Sequence, residues 1–467
     1  MKLKKSLYTL IATGSMLGLA HADIALVQND KGELDFYSVL DAAVVNQNHS
    51  LSISPTMPNQ IYPFQKAPLG CYTGGANCGN QAPGSVTGLL GGGLSDSRVG
   101  FKGFRNLDNG IKAIFDLESG FDLTSGQLNN AAGAVAANPT GLNKQPNVTG
   151  KPLATVSAYN TVNADSSLNG QLFGRAAWFG LQDPIYGKVT AGLQNNPMKD
   201  VFADYDPVQS DTFSPFGESG TFGGGGGVSE DARMENSVEY TNGMNGFDYS
   251  VAFQFGNNTS SNGIVGGSGV GRGSAVRFGY QNSMFGIQAV YNNFTDALKA
   301  TNSPNENQIN LVALNTESWL VAARFTGIEG VNLKAGWMQF INSAPSDQVN
   351  IAEIWGIQVN QVNSQSTKQK TTTYFAGGDI DLMPKVNFSL GYYDILVANG
   401  ENANGTTAFG QQHISTVSAV LKYSLAKNAD AYLVGSTNKF SGGGFTVNGS
   451  VPGSMQNAFG MGARIKF

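Results

Sequence analysis

What constrains this chain most is a rhythm: apolar and polar residues alternate over strand-length stretches, and the connections between those stretches are short and long in strict turn. Phe247, Tyr249, Val251, Phe253 and Phe255 share one parity, with Asp248, Ser250, Ala252, Gln254 and Gly256 on the other. Val386, Phe388, Leu390 and Tyr392 alternate in the same way with Asn387, Ser389, Gly391 and Tyr393. Phe459, Met461, Ala463, Ile465 and Phe467 alternate with Gly460, Gly462, Arg464 and Lys466. Period two marks a strand with two unlike faces. Short turns join 96–105 to 111–121, 233–242 to 247–256, 274–282 to 286–294 and 317–327 to 332–341, and likewise 371–382 to 385–397 and 413–425 to 429–438. The first of these turns is Asn106–Gly110, where Asn and Asp beside Gly supply the positive φ that hairpins need. A long polar loop separates each hairpin from the next, and the loop before the first hairpin holds the two cysteines and ends in Gly91-Gly92-Gly93.

The pattern predicts an all-β chain: an antiparallel up-and-down barrel of about sixteen strands, each near the ~9–11 residues that a tilted strand needs to cross a bilayer. A secreted β-sandwich also alternates, but here one face is filled with polar and small residues and leaves little for a dry core. Closure satisfies every backbone group and removes the edges, as hydrocarbon requires.

The start of the chain, MKLKKSLYTLIATGSMLGLAHA, has a basic segment, an apolar run from Leu7 to Leu19, and Ala20-His21-Ala22 as a small-x-small cleavage site. Residues 1–22 are predicted to be a signal peptide, 23–33 a polar leader and 34–467 the barrel. Nothing downstream approaches the ~20 consecutive apolar residues of a membrane helix. The net charge is −5 with Lys2, Lys4 and Lys5 included, so the exported part is more acidic still, which disfavours nucleic acid as a partner. Cys71 and Cys78 are the only cysteines. In an exported protein they read as one disulfide on a surface loop. His49 and His413 are too few and too far apart in sequence for a His-rich metal centre, and neither G-x-S-x-G nor H-E-x-x-H occurs. The chain is therefore not expected to be an enzyme, and no cofactor is expected.

The centre of the plan is Leu172–Arg233. A hairpin, LFGRAAWFGLQ and KVTAGLQN around the turn Asp183–Gly187, is followed by a polar excursion over 196–232 that carries seven acids and the run Gly223–Gly227. If this loop folds into the barrel, it forms the narrowest point of a pore. The glycine run precedes a strand rather than a helix, so it reads as a sharp turn and not as a phosphate cradle.

SRVGFKGFRNLDNGIKAIFDLESGF, LFGRAAWFGLQDPIYGKVTAGLQ and the terminal ARIKF resemble the general porins of Gram-negative outer membranes, of the proteobacterial trimeric type. The resemblance covers most strands from Leu34 to Phe467, while the long loops are individual to this chain. It implies a sixteen-stranded barrel in the cell outer membrane, a homotrimer, and a third external loop (here 196–232) folded inward as a constriction. It also implies recognition of the terminal Phe467 by the barrel-assembly machinery, and contact with outer-membrane lipid and lipopolysaccharide. The chain departs from the family in two places. Leu193 stands where the family carries Arg after the glycine of the fifth strand, and the leader is longer than usual.

A passive pore selects by charge rings and diameter rather than by a reaction. In the family, acids on the loop face bases on the wall. The loop candidates here are Asp204, Asp206, Asp211 and Glu218. On the wall, Arg98 and Lys102 oppose the parity of Val99 and Phe101; Lys112 opposes Ile111 and Ala113; Arg277 opposes Val276 and Phe278; and Arg324 opposes the face of Val321. Charges on the lipid face near the midplane cost about 2–4 kcal/mol, which sends these side chains to the lumen. Arg175 shares its parity with Phe173, Phe179 and Leu181, but Leu172, Ala176 and Trp178 make the other face apolar too, so alternation does not place it; the resemblance points it inward. The expected function is passive diffusion of ions and small hydrophilic solutes, with a mild cation preference from the loop acids. The alternatives are a substrate-selective channel, or a surface adhesin or receptor working through the external loops.

Overall fold

The computed structural model describes residues 23–50, 84–121, 123, 172–209, 213–215, 233–256, 264–265, 271–301, 308–346, 350–351, 353–354, 357–364, 366–398, 400–402, 407–409, 411–441 and 455–467. The predicted signal peptide and both cysteines lie outside the described residues, as do Asp211 and Glu218.

Sixteen antiparallel strands close into a barrel. β1 is Gly32–Ser50, and β2 is built in two pieces, Gly84–Leu90 and Arg98–Asn106. β3 (Lys112–Gly120), β4 (Ala176–Asp183), β5 (Gly187–Asn195), β6 (Arg233–Met244), β7 (Phe247–Gln254) and β8 (Arg272–Gln281) follow. β9 (Phe285–Thr301), β10 (Gln308–Ile328), β11 (Val331–Ser343) and β12 (Thr367–Met383) continue the wall. It ends with β13 (Val386–Val397), β14 (Gln412–Ala426), β15 (Ala429–Ser441) and β16 (Met455–Lys466). Each strand pairs with its neighbours in sequence, and β16 returns to β1 from Val39↔Lys466 to Gln47↔Ala458. The last residue completes the seam: the Phe467 amide donates to the Ser38 carbonyl at 2.8 Å, and the Ser38 amide donates to the Phe467 carbonyl at 2.9 Å. No described helix is long and apolar enough to cross a membrane; the wall crosses with strands.

The two parities read from the sequence become the two faces of this wall. Along β7, Phe247, Tyr249, Val251 and Phe253 are exposed on the outside, while Asp248, Ser250, Ala252 and Gln254 are buried on the inside. Leu390 and Tyr392 likewise face out, and Ser389 and Tyr393 face in. This arrangement is inverted relative to a water-soluble fold, and it suits a wall whose outer solvent is hydrocarbon.

Three features differ from the sequence pattern. β9 and β10 run for 17 and 21 residues, well past the span of a bilayer. They continue into the external loops, where 308–313 of β10 pairs in parallel with 358–364. The leader is not a simple polar coil: Ile24–Asn29 forms a strand that hairpins onto 32–36 of β1. Asp23 meets Lys102 at 2.7 Å. Finally, Gly91–Gly93 does not end a loop. It lies inside β2, between the piece that pairs with 43–50 of β1 and the piece that pairs with 32–39.

Candidate pore constriction

Directly after β5, Asn196 stops the strand and starts a helix. Its backbone stays extended and its side-chain oxygen accepts the Met198 amide at 2.9 Å, with Pro197 in the first turn. This helix, α1 (Pro197–Tyr205), buries Met198, Val201, Phe202 and Tyr205. It packs on the inner wall over β8–β11, in one apolar cluster with Val290, Leu320, Ala322 and Met338. The segment beyond α1 stays on the wall. The Tyr393 hydroxyl of β13 donates to the Asp206 carboxylate. Lys334 Nζ of β11 donates to the Asp206 carbonyl at 2.9 Å, and Ser418 Oγ of β14 donates to the Phe213 carbonyl at 2.5 Å. Pro207 lies so close to Gly377 of β12 that a Cβ there would stand 2.9 Å from the proline ring. The described part of the loop thus lines the lumen from β8 to β14.

The bases under this loop neutralise its acids from the same side. Arg277 Nη1 lies 4.0 Å from Asp200 and its Nε lies 3.5 Å from Asp248. Arg324 stacks its guanidinium 5.3 Å from the Tyr205 ring centre and donates to Gln281 Oε1 at 2.8 Å. Asp204 is half-buried near Arg324; burial pushes its carboxyl above the usual carboxylate range and the guanidinium draws it back. Asp206 is a different case. It is buried in the contact between loop and wall, where burial pushes its carboxyl up against the pull of the Tyr393 hydroxyl. It anchors the loop and does not line the lumen.

Across the barrel, eight strands from β11, stands β3 with its neighbours β2 and β4. Here Arg175 Nε donates to Glu118 Oε1 at 2.6 Å, and Arg98 Nε meets Glu118 Oε2 at 3.1 Å. Arg175 Nη1 reaches Asp96 at 2.9 Å, and Arg98 Nη1 donates to the Asp96 carbonyl at 3.1 Å. Glu118 is thus shared by two guanidiniums. Arg175 turns inward against its parity because β4 begins only at Ala176, and the bend at Gly174–Arg175 resets the pleat. Phe179 and Leu181 keep the lipid side.

The remaining predicted residues lie elsewhere. Lys102 is held by Asp23 of the leader. Lys112, at the start of β3 beside the turn, lies 4.2 Å from the Phe104 ring centre. Neither is among the residues gathered at the loop. Sequence reasoning missed Lys334, Glu118 and Asp96, although Lys334 and Glu118 sit on luminal parity and the same argument would have found them. Tyr393 carried no charge signal that could have marked it.

Comparison with known proteins agrees with this fold. A family model described as Gram-negative porin matches residues 9–443. An outer membrane porin protein of Bordetella pertussis is 25% identical over 228 residues, covering 48% of this chain and 47% of that protein. The match therefore spans about half the length of that curated relative. Among solved structures, the fold is similar to an anion-selective porin from Comamonas acidovorans, with a TM-score of 0.55 and 16% identity over 94% of this chain and 100% of that one. It is similar to the trimer form of OmpT of Vibrio cholerae, with a TM-score of 0.53 and 14% identity over 94% and 100%. It is also similar to OmpF of Salmonella typhi in complex with daunomycin, with a TM-score of 0.51 and 15% identity over 95% and 100%.

Proposed function

This chain belongs to the Gram-negative porin family of the outer membrane, and from that premise we propose that it forms a water-filled channel for passive diffusion of ions and small hydrophilic solutes. The family and fold are those of channels rather than enzymes. The observation that carries the proposal is the helix-bearing loop folded onto the inner wall, facing a set of paired charges across the lumen. That arrangement narrows the pore without adding chemistry.

We infer a mild cation preference. Arg98 and Arg175 share Glu118 and Asp96, and Arg277 is matched by Asp248 and Asp200. Those three guanidiniums are therefore largely offset by acids, and the inferred bias rests on Asp204, which faces Arg324. The anion-selective neighbour shares a fold at 16% identity, which carries no selectivity across. Self-association as a trimer is proposed by analogy with the trimer form of the Vibrio cholerae protein. Export by residues 1–22, recognition of Phe467 by the assembly machinery, and contact with outer-membrane lipid and lipopolysaccharide belong to the same reading.

The test is conductance of the detergent-extracted protein in a planar bilayer under a salt gradient. We expect stepwise openings in threes, ohmic current, and a reversal potential displaced slightly toward the cation limit. Folded, heat-modifiable protein that inserts without conducting would exclude an open pore.

A further inference from the structure

Between Leu90, opposite Ala43, and Arg98, opposite Val39, β2 spends residues 91–97 where its partner β1 spends only 40–42. This is far more than the single extra residue of a β-bulge, so the surplus chain must leave the wall. It leaves on the luminal side. Asp41 shares its parity with Val39 and Ala43, which are buried inside, whereas Val44 is exposed outside. The Asp41 carboxylate accepts three successive amides of the surplus segment, from Gly93 at 3.0 Å, Leu94 at 3.2 Å and Ser95 at 3.1 Å. It also accepts the hydroxyl of Tyr432 from β15. The Asp41 backbone closes the clasp, donating to Ser97 Oγ at 3.0 Å and accepting from it at 3.2 Å.

The sequence makes room for this fold. Gly92 sits at φ +124°, a conformation that side chains resist, and a Cβ at Gly93 would collide with the Tyr432 hydroxyl. Leu94 is buried in the luminal cluster that also holds Ala43, Val45 and Tyr432. Within the clasp, between Ser95 and Ser97, stands Asp96, which holds Arg175 by its carboxylate and Arg98 by its carbonyl. A buried carboxylate thus fixes a backbone fold, and the fold presents the residue that orients two guanidiniums.

We propose that residues 91–97 form a second constriction element, across the lumen from α1 and beside the far end of the helical loop at β14. Asp41 and Tyr432 are its positioning residues, setting both the width of the pore and the charge shown to hydrated ions. This rests on the channel reading above.

The test is planar-bilayer recording of the full-length wild type beside Asp41→Ala, Tyr432→Phe and Gly93→Ala, each verified as a folded, heat-modifiable oligomer. Loss of the clasp in Asp41→Ala is expected to raise single-channel conductance roughly 1.5-fold, since conduction follows pore diameter. The reversal potential should move toward anions, because Asp96 leaves with the fold while Arg98 and Arg175 stay on Glu118. Tyr432→Phe should shift both readouts in the same direction by less. Gly93→Ala, which forces the fold off Tyr432 without touching the carboxylate, should reproduce the change if Asp41→Ala fails to assemble. Conducting wild type beside folded variants of unchanged conductance and reversal potential would overturn this inference alone. Wild type that inserts without conducting would remove the channel reading itself.

Discussion

Two of the described segments of this barrel fold inward, and they are held by opposite means. The loop after β5 is long enough to make a helix, and Met198, Val201, Phe202 and Tyr205 dock as a small hydrophobic core against the wall. Burial of such side chains contributes about 1.5–3 kcal/mol each, so polar anchors such as Tyr393 and Lys334 refine a position that packing already favours. The fold at 91–97 has only Leu94 to bury. Its hold is a cluster of charge-assisted hydrogen bonds to Asp41, at about 1.5–3 kcal/mol each before the cost of burying the carboxylate. A long insert can behave like a piece of protein interior, whereas a short one must be tied.

The contrast breaks most visibly at the apolar dock. Phe202→Ala should weaken the helix–wall contact by about 3 kcal/mol, expected as flickering, higher-conductance channels and faster proteolytic cleavage within the loop, while the barrel stays heat-modifiable. If loop packing were incidental, the variant would record like wild type.

Tyr393→Phe sharpens the same comparison. It leaves the packing intact and removes the hydroxyl from a buried carboxylate, at a cost of about 1–2 kcal/mol. Because packing carries the loop, we expect moderate flicker without the conductance increase of Phe202→Ala. Asn196→Ala comes third, since loss of the cap costs ~1 kcal/mol; its expected signature is faster proteolysis near the start of α1 with ordinary conductance.

How much of this was legible in the sequence follows from what kind of force places each element. The wall was legible because lipid and lumen impose one rule, repeated at every second residue: Phe247, Tyr249 and Val251 could only face out, and Arg98 and Arg277 could only face in. The loop's position was legible from its place after the central hairpin and from the resemblance to porins. Side-chain roles inside the lumen were not, because parity says which face a residue takes and nothing about what it meets there. Asp206 has the charge of an eyelet acid, yet it lies under Tyr393, and only the path of the loop decides this. The fold at 91–97 was hidden for a similar reason. Its glycines read as the end of a loop, since the pairing that places them within β2 depends on β1, some fifty residues away. Arg175 shows the limit from the other side: both parities of its stretch are apolar, so alternation could not place it, and a bend just before β4 turns it inward.

The smallest expected effect separates the two loop acids. Asp204→Asn and Asp206→Asn remove the same charge two residues apart, so a simple count of loop acids predicts equal shifts in reversal potential. The geometry predicts unequal ones. Asp204 is half-buried beside the lumen and acts on passing ions through water, so its neutralisation should move the reversal potential toward anions by roughly a few millivolts in dilute salt. That shift should fade toward 1 M, where the screening length falls to about 3 Å. Asp206 is closed off by Tyr393, and Lys334 binds its backbone. Its neutralisation should leave the reversal potential in place and show itself as altered gating noise, because the anchor is weakened while the lumen keeps its charge. Equal shifts for the two variants would mean that Asp206 reaches the lumen after all, and that the loop beyond α1 lies off the wall.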